Sequence, residues 1–243
     1  MMNWLRELGE DVRELLRDGW QVVLHRRWLF FLVLPLTVAL GVIFILPRDA
    51  AISNWLITHR YDKVHASPDH WLLAVARGFS KYGDFRVTIE LFLLYLMAGA
   101  IKKRRDWQRI GVAVMLAAAL AGLVTTVIRT TTGRPRPSTM TDLPKSILPD
   151  GTPVVDRFYG FHPFDSDYQS FPSAHATTAM ATATVMAEAA PQIGIPFAII
   201  SIGVPWSRFY MHAHNLGDIL VGSCIGLWFG FAIGPAARRC RGN

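Results

Sequence analysis

The sequence predicts an all-α, polytopic membrane protein of six transmembrane helices preceded by an amphipathic N-terminal helix. Three observations predict it. Apolar residues make up 51% of the 243 and are gathered into long runs rather than scattered at core spacing. Short basic segments punctuate those runs. The polar residues that fit neither pattern fall together at one end of the predicted spans.

The first span is the purest, since Trp28 to Leu46 is 19 residues without a charge and about 20 cross the hydrocarbon. Further spans are read at Phe85–Ile101, Gln108–Ile128, Ala174–Ala190, Ile193–Trp206 and Leu216–Ala236. The fifth is the shortest. The second carries Glu90, for which Arg86, one turn away, is the expected local partner. Upstream, Trp4, Leu8, Val12, Leu15 and Trp20 recur at helical spacing among charges. Residues 1–24 therefore read as an amphipathic helix, lying on the membrane surface or packed on the protein itself, and residues 25–243 as the six-span domain. Glu7, Glu10, Asp11 and Glu14 are too acidic for the start of a signal peptide, and no small-residue cleavage pattern follows the first span, so the segment is expected to remain.

A net charge of +7 raises the question of nucleic acid. The basic residues instead flank spans: His25-Arg26-Arg27, Lys102-Lys103-Arg104-Arg105 and Arg238-Arg239. Positive-inside bias explains them, and no nucleic-acid partner is expected. With six spans, those segments share one side, which places both termini in the cytoplasm of a bacterial inner membrane. Cys224 within a span and Cys240 in the tail build neither a disulfide framework nor a thiolate metal site. His59, His65 and His70 lack ligand spacing, so neither metal nor cofactor is expected.

Span parity brings three polar groups to the opposite, periplasmic or extracellular face. Arg129 to Pro137 follows an outward span, Pro172-Ser173-Ala174-His175 opens an inward one, and Ser207 to Asp218 joins the last two. Arg129, Arg136 and Arg208 would repel one another where water is scarce unless they shared an anion, and the guanidinium fork suits phosphate. Ser173 stands at a helix start, where it can cap the helix or bond a phosphoryl oxygen beside the free amides. His214 and Asp218 are four apart on one helical face, so the carboxylate can hold one ring nitrogen and leave the other free. His212 is the rival nucleophile.

These residues, Arg129 with Arg136-Pro137, then Pro172-Ser173-Ala174-His175, then Ser207-Arg208 with His214 and Asp218, resemble the three-part signature of the type-2 phosphatidic acid phosphatase superfamily in order and spacing. Arg129 stands where that family usually has Lys, and Ala174 where it usually has Gly. The resemblance implies that His214 attacks phosphorus to form a phosphohistidine, that Asp218 orients it, and that His175 protonates the leaving oxygen and then helps activate water. Arg129, Arg136, Arg208 and Ser173 would hold the phosphoryl oxygens. The expected partners are a membrane lipid substrate and the bilayer. The expected reaction is hydrolysis of a lipid phosphate at the outer face, with lipid phosphotransfer or silent lipid-phosphate binding as alternatives. Head-group selection would lie in the Ser138–Phe171 loop.

Overall fold

The computed structural model describes residues 2–56, 71–137 and 158–238, and every regular element among them is helical. His59, His65, His70, Cys240 and residues 138–157 of the long loop lie outside the described residues. In chain order the α-helices are α1 (Met2–His25), α2 (Leu34–Leu40), α3 (Asp49–Leu56), α4 (Trp71–Tyr82) and α5 (Phe85–Ile101). They continue with α6 (Arg105–Thr132), α7 (Ala174–Ala189), α8 (Pro191–Ser201), α9 (Gly203–Tyr210) and α10 (Leu216–Arg238). Wide π turns at Leu29–Val33 and Gly41–Ile45 and a 3-10 turn at Leu46–Arg48 join α2 and α3 into one helical run.

Four stretches among the described residues are long and apolar enough to cross a membrane: Leu29–Ser53, Arg105–Thr132, Pro191–Tyr210 and Leu216–Arg238. The six read from the sequence are thus not all alike. α5 has 17 residues and α7 has 16, which at 1.5 Å per residue falls short of a hydrocarbon core about 30 Å thick. α7 also has little need to be apolar toward lipid, because its Thr177, Thr178, Thr182 and Thr184 are buried by neighbouring helices. No ion pair joins Arg86 to Glu90 among the described residues, and both side chains are exposed.

α7 is the axis of the bundle, and α10 approaches it along Gly222, Gly226, Gly230 and Gly234. A Cβ at Gly222 would lie 2.5 Å from the Ser173 carbonyl oxygen, and one at Gly226 would lie 2.3 Å from that of Thr177. Such a small-residue seam lets two backbones meet. Thr177 donates to the Gly222 carbonyl at 3.0 Å, and the Ser173 amide donates to the Asp218 carbonyl at 3.0 Å. The first turns of α7 and α10 are therefore locked in register.

α1 has two faces, one packed on the bundle and one exposed. Leu15, Val22 and Val23 join the cluster formed by Ile110, Val114, Ile233 and Ala236. Beside them Arg109 of α6 donates to Glu14 at 2.8 Å, with Asp18 at 3.5 Å and Asp11 at 3.9 Å. On the other side Leu16, Trp20, Leu24 and Trp28, four residues apart, are exposed. α1, the start of α6 and the end of α10 thus form one end of the bundle. The predicted polar groups lie at the other.

Candidate active site

α6 ends at Gly133, whose φ of 59° and ψ of 47° are left-handed and whose amide closes on the Arg129 carbonyl. A Cβ there would sit 2.2 Å from the Gly160 carbonyl oxygen, so only glycine fits. Residues 133–136 then leave the helix, and Pro135 disfavours helical geometry at Arg134. On the non-helical segment that results, Arg134 and Arg136 go to different partners. Arg136 donates from Nε to the Ser166 carbonyl at 2.9 Å. Arg134 turns inward, fully buried, and its Nη1 reaches Asp218 at 2.6 Å and Asp49 at 2.9 Å.

Asp49 of α3 also accepts from the Gly217 amide at 3.0 Å, so the first membrane helix is tied to the start of α10. Next to it Ser53 donates to the Asn215 side-chain oxygen at 2.6 Å. Sequence reasoning passed over Arg134, Asp49 and Ser53. The signal for Asp49 was present, since an acid at the end of a membrane run is a functional candidate by default. Its partner lies 85 residues away, and no spacing rule reaches that far.

His214 is 2% exposed, and its Nδ1 lies 2.9 Å from the Ser170 carbonyl. A carbonyl only accepts, so Nδ1 carries the proton and Nε2 keeps its lone pair. The Asp218 carboxylate is 3.7 Å from Nδ1, too far for a hydrogen bond, and acts on the ring as a charge. The oxygen at that distance, Oδ2, accepts instead from the Ser170 hydroxyl at 2.5 Å and the Asn215 amide at 2.9 Å. The direct orienter of His214 is therefore Ser170, a residue the sequence did not single out, with Asp218 one bond removed. Burial pushes His214 down to about 4, assisted by Arg136 and Arg208 and opposed by Asp218. The ring is thus neutral at ordinary pH. Burial also pushes His212 down to about 4.

Ser173 is the N-cap residue of α7, yet its hydroxyl makes no capping bond. Its Oγ is fully buried and has no partner among the described residues. The first intrahelical bond of α7 runs from Thr177 to Ser173, so among the described residues the amides of Ala174, His175 and Ala176 are open donors at a positive helix end. Arg208 donates through Nη1 to Ser80 at 2.7 Å, while its Nε and the Nε of Arg129 are buried without partners among the described residues. The charge of Arg136 bears on Arg129, Arg208, His175 and His214. His175, half-buried, packs its Cβ against Gly83 and lies within reach of the charges of Asp84, Arg208 and His214. The structure thus brings Arg129, Arg136, Ser173, His175, Arg208, His214 and Asp218 to one end of the bundle. No group of three His, Cys, Asp or Glu side chains converges as a metal-ligand set among the described residues.

Chemically, the arrangement offers a neutral imidazole nitrogen at the same end of the bundle as donors that are unmet among the described residues. That is the combination needed to bind a tetrahedral dianion and attack its centre.

The model of the PAP2 superfamily matches residues 110–240. Decaprenylphosphoryl-5-phosphoribose phosphatase of Mycobacterium tuberculosis (strain CDC 1551 / Oshkosh) is 29% identical over 177 residues, which is 70% of this chain and 85% of that one. Lipid A 1-phosphatase of Rhizobium johnstonii is 26% identical over 133 residues, 54% of this chain and 49% of the relative. Among solved structures, the transmembrane PAP2 type phosphatidylglycerolphosphate phosphatase of Bacillus subtilis superposes with a TM-score of 0.51 at 23% identity. The match covers 89% of this chain and 94% of that one, and it shows a shared fold.

Proposed function

This chain belongs to the PAP2 superfamily and is a membrane phosphatase acting on lipid phosphates, and we propose that it does so through a phosphohistidine on His214 at the outer face of the membrane. The observation that carries the proposal is the set of buried, unpartnered donors, Ser173 Oγ, Arg129 Nε and Arg208 Nε, beside a neutral His214. Unmet buried donors cost stability unless an anion completes them.

In the first step Nε2 of His214 forms a bond to phosphorus while the bond to the leaving oxygen breaks, and His175 gives that oxygen its proton. In the second step His175 takes a proton from water, whose oxygen displaces the imidazole and releases phosphate. Arg129, Arg136, Arg208, Ser173 and the α7 amides hold the three equatorial oxygens as their charge redistributes. Asp218 offsets the charge that the ring gains on phosphorylation. The substrate is a phosphomonoester or diphosphate of a lipid: phosphatidylglycerophosphate, phosphatidic acid, an isoprenyl diphosphate or a glycolipid phosphate.

Six traverses of the membrane, with the short helices α5 and α7 counted among them, would put both termini and Lys102–Arg105 in the cytoplasm and the site outside an inner membrane. An impermeant thiol reagent should label Ser166→Cys, an exposed position outside the Phe161–Phe164 turn, in intact cells, and labelling only after lysis would reverse this orientation. The activity itself is tested by phosphate release from a panel of those lipids in detergent. Turnover should survive excess EDTA and stop with vanadate, whose trigonal-bipyramidal adduct on His214 resembles the transition state. Loss with chelator and recovery with a divalent ion would overturn the mechanism.

A further inference from the structure

We propose that the turn from Phe161 to Phe164 is an interfacial anchor that enters the lipid leaflet beside the site and fixes the height at which a lipid phosphate meets His214. The height role rests on the lipid-phosphatase reading above; the anchoring does not.

The backbone register shows where the turn goes. The last carbonyls of α6 are capped by a returning segment: Tyr159 N–H donates to Gly133 at 3.1 Å, Gly160 N–H to Thr132 at 3.1 Å, and His162 N–H to Thr130 at 2.8 Å. Each step along the segment is a step back down the helix, about 4.5 Å in all at 1.5 Å per residue. After Pro163 and Phe164 the chain climbs again, and the Asp167 carbonyl accepts from the Arg136 amide at 2.7 Å. Gln169 pins the bottom of this excursion, donating from Nε2 to the His162 and Pro163 carbonyls at 3.0 and 2.9 Å.

At that lowest point Phe161 is 71% exposed and Phe164 is 100% exposed among the described residues. Directly beneath Thr130 on the same face of α6, Val127 and Leu123 are also exposed, on a helix long enough to span. Two phenyl rings held open above the lipid-facing side of a spanning helix mark a contact surface, and the leaflet boundary is where aromatic side chains are favoured. Asp165 follows at once, its carboxylate turned back to the Asp167 amide at 3.0 Å. That charge limits the turn to the boundary between head groups and acyl chains. The connection to chemistry is short: Gln169 precedes Ser170, whose carbonyl receives His214 Nδ1 and whose hydroxyl holds Asp218.

The test uses the full chain reconstituted in phosphatidylcholine–phosphatidylglycerol vesicles, with Cys224→Ala, Cys240→Ala and a nitroxide on Phe164→Cys. Collisions with oxygen should exceed those with a water-soluble nickel chelate, and the reverse order would overturn the anchor. The double variant Phe161→Ser, Phe164→Ser should lose about tenfold in rate on a long-chain lipid phosphate in vesicles, as expected for withdrawing buried aromatic surface. It should hydrolyse a water-soluble aryl phosphate in detergent within about twofold of the parent. Equal losses on both substrates, or no loss on either, would overturn the height role. If the parent chain releases no phosphate from any lipid, the functional reading fails while the nitroxide still decides the anchor.

Discussion

The two ends of the bundle each bury arginine among α-helices, and they treat it in opposite ways. At the α1 end Arg109 is met by Glu14, Asp18 and Asp11 within 3.9 Å. At the other end no carboxylate stands within salt-bridge distance of Arg129 or Arg208 among the described residues, and the charge acting on both is that of Arg136. Arg134 shows that this end has carboxylates to give, since it takes both Asp49 and Asp218. A buried arginine matched by acids is part of the fold. One left beside other cations, at a point the fold could have neutralised, is kept for a ligand.

The largest expected effect falls on the group those cations surround. His214→Ala should abolish turnover on every substrate and trap no phosphoenzyme, because it removes the atom that bonds to phosphorus. His175→Ala should depend on what leaves: general acid catalysis supplies about 10²–10⁴-fold, most of it for a lipid alkoxide and little for a nitrophenolate. If His175 also activates water, this variant should release a burst of nitrophenolate and accumulate labelled enzyme. Equal losses on alkyl and aryl phosphates, with no trapped intermediate, would return His175 to a structural or phosphate-binding part.

Next in size is the contrast between the arginines themselves. Arg208→Ala should lower kcat by about 10²–10³-fold, the usual loss for one transition-state donor, with little change in Tm. Arg109→Ala should leave kcat unchanged and lower stability by about 3–5 kcal/mol, because three carboxylates lose their common partner. Thermal denaturation in detergent and aryl phosphate hydrolysis separate the two outcomes. A variant of Arg109 that kept its stability but lost activity would erase the distinction between the ends.

Those ends also differ in how readily they could be read from sequence. Arg129, Arg136, Ser173, His175, Arg208, His214 and Asp218 announce themselves because each motif is local and the helix fixes its geometry. Span parity then needs only a count of apolar runs to bring the motifs to one face. The Arg109 cluster depends on α1 folding back onto α6, and Glu14 stands 95 residues from its arginine. Ser170 is equally opaque, since a backbone carbonyl has no residue-type signature and its histidine is 44 residues on. The glycine seam at Gly222 and Gly226 was legible as a four-residue period, but only its partner backbone shows what the period is for. Of the six spans read from the sequence, four are long and apolar enough to cross a membrane among the described residues, and a helix enclosed by others, as α7 is, need be neither long nor uniformly apolar.

The smallest effect is a position on the pH axis, and it sharpens the comparison because it measures the field that the unmatched cations and burial produce together. His214 is pushed down to about 4, with burial first among the causes and Arg136 and Arg208 adding to it. The sign follows from which form is active: the neutral ring attacks, so activity is present above the pKa and lost as pH falls through it. With a pKa near 4 about 90% of the rings are neutral at pH 5, whereas an ordinary histidine near 6.5 would leave about 3%. His175→Ala on an aryl phosphate isolates this titration, since the leaving group there needs little proton. After correction for the substrate's second ionisation, its acid limb in kcat/KM should lie near pH 4. In the same background Asp218→Asn should move the limb lower, because the carboxylate at 3.7 Å favours the charged ring. A limb near 6.5 would mean that His214 is far better solvated than its burial implies. A limb that rose on removing Asp218 would mean that the ring feels the arginines less than it feels the chain around Ser170.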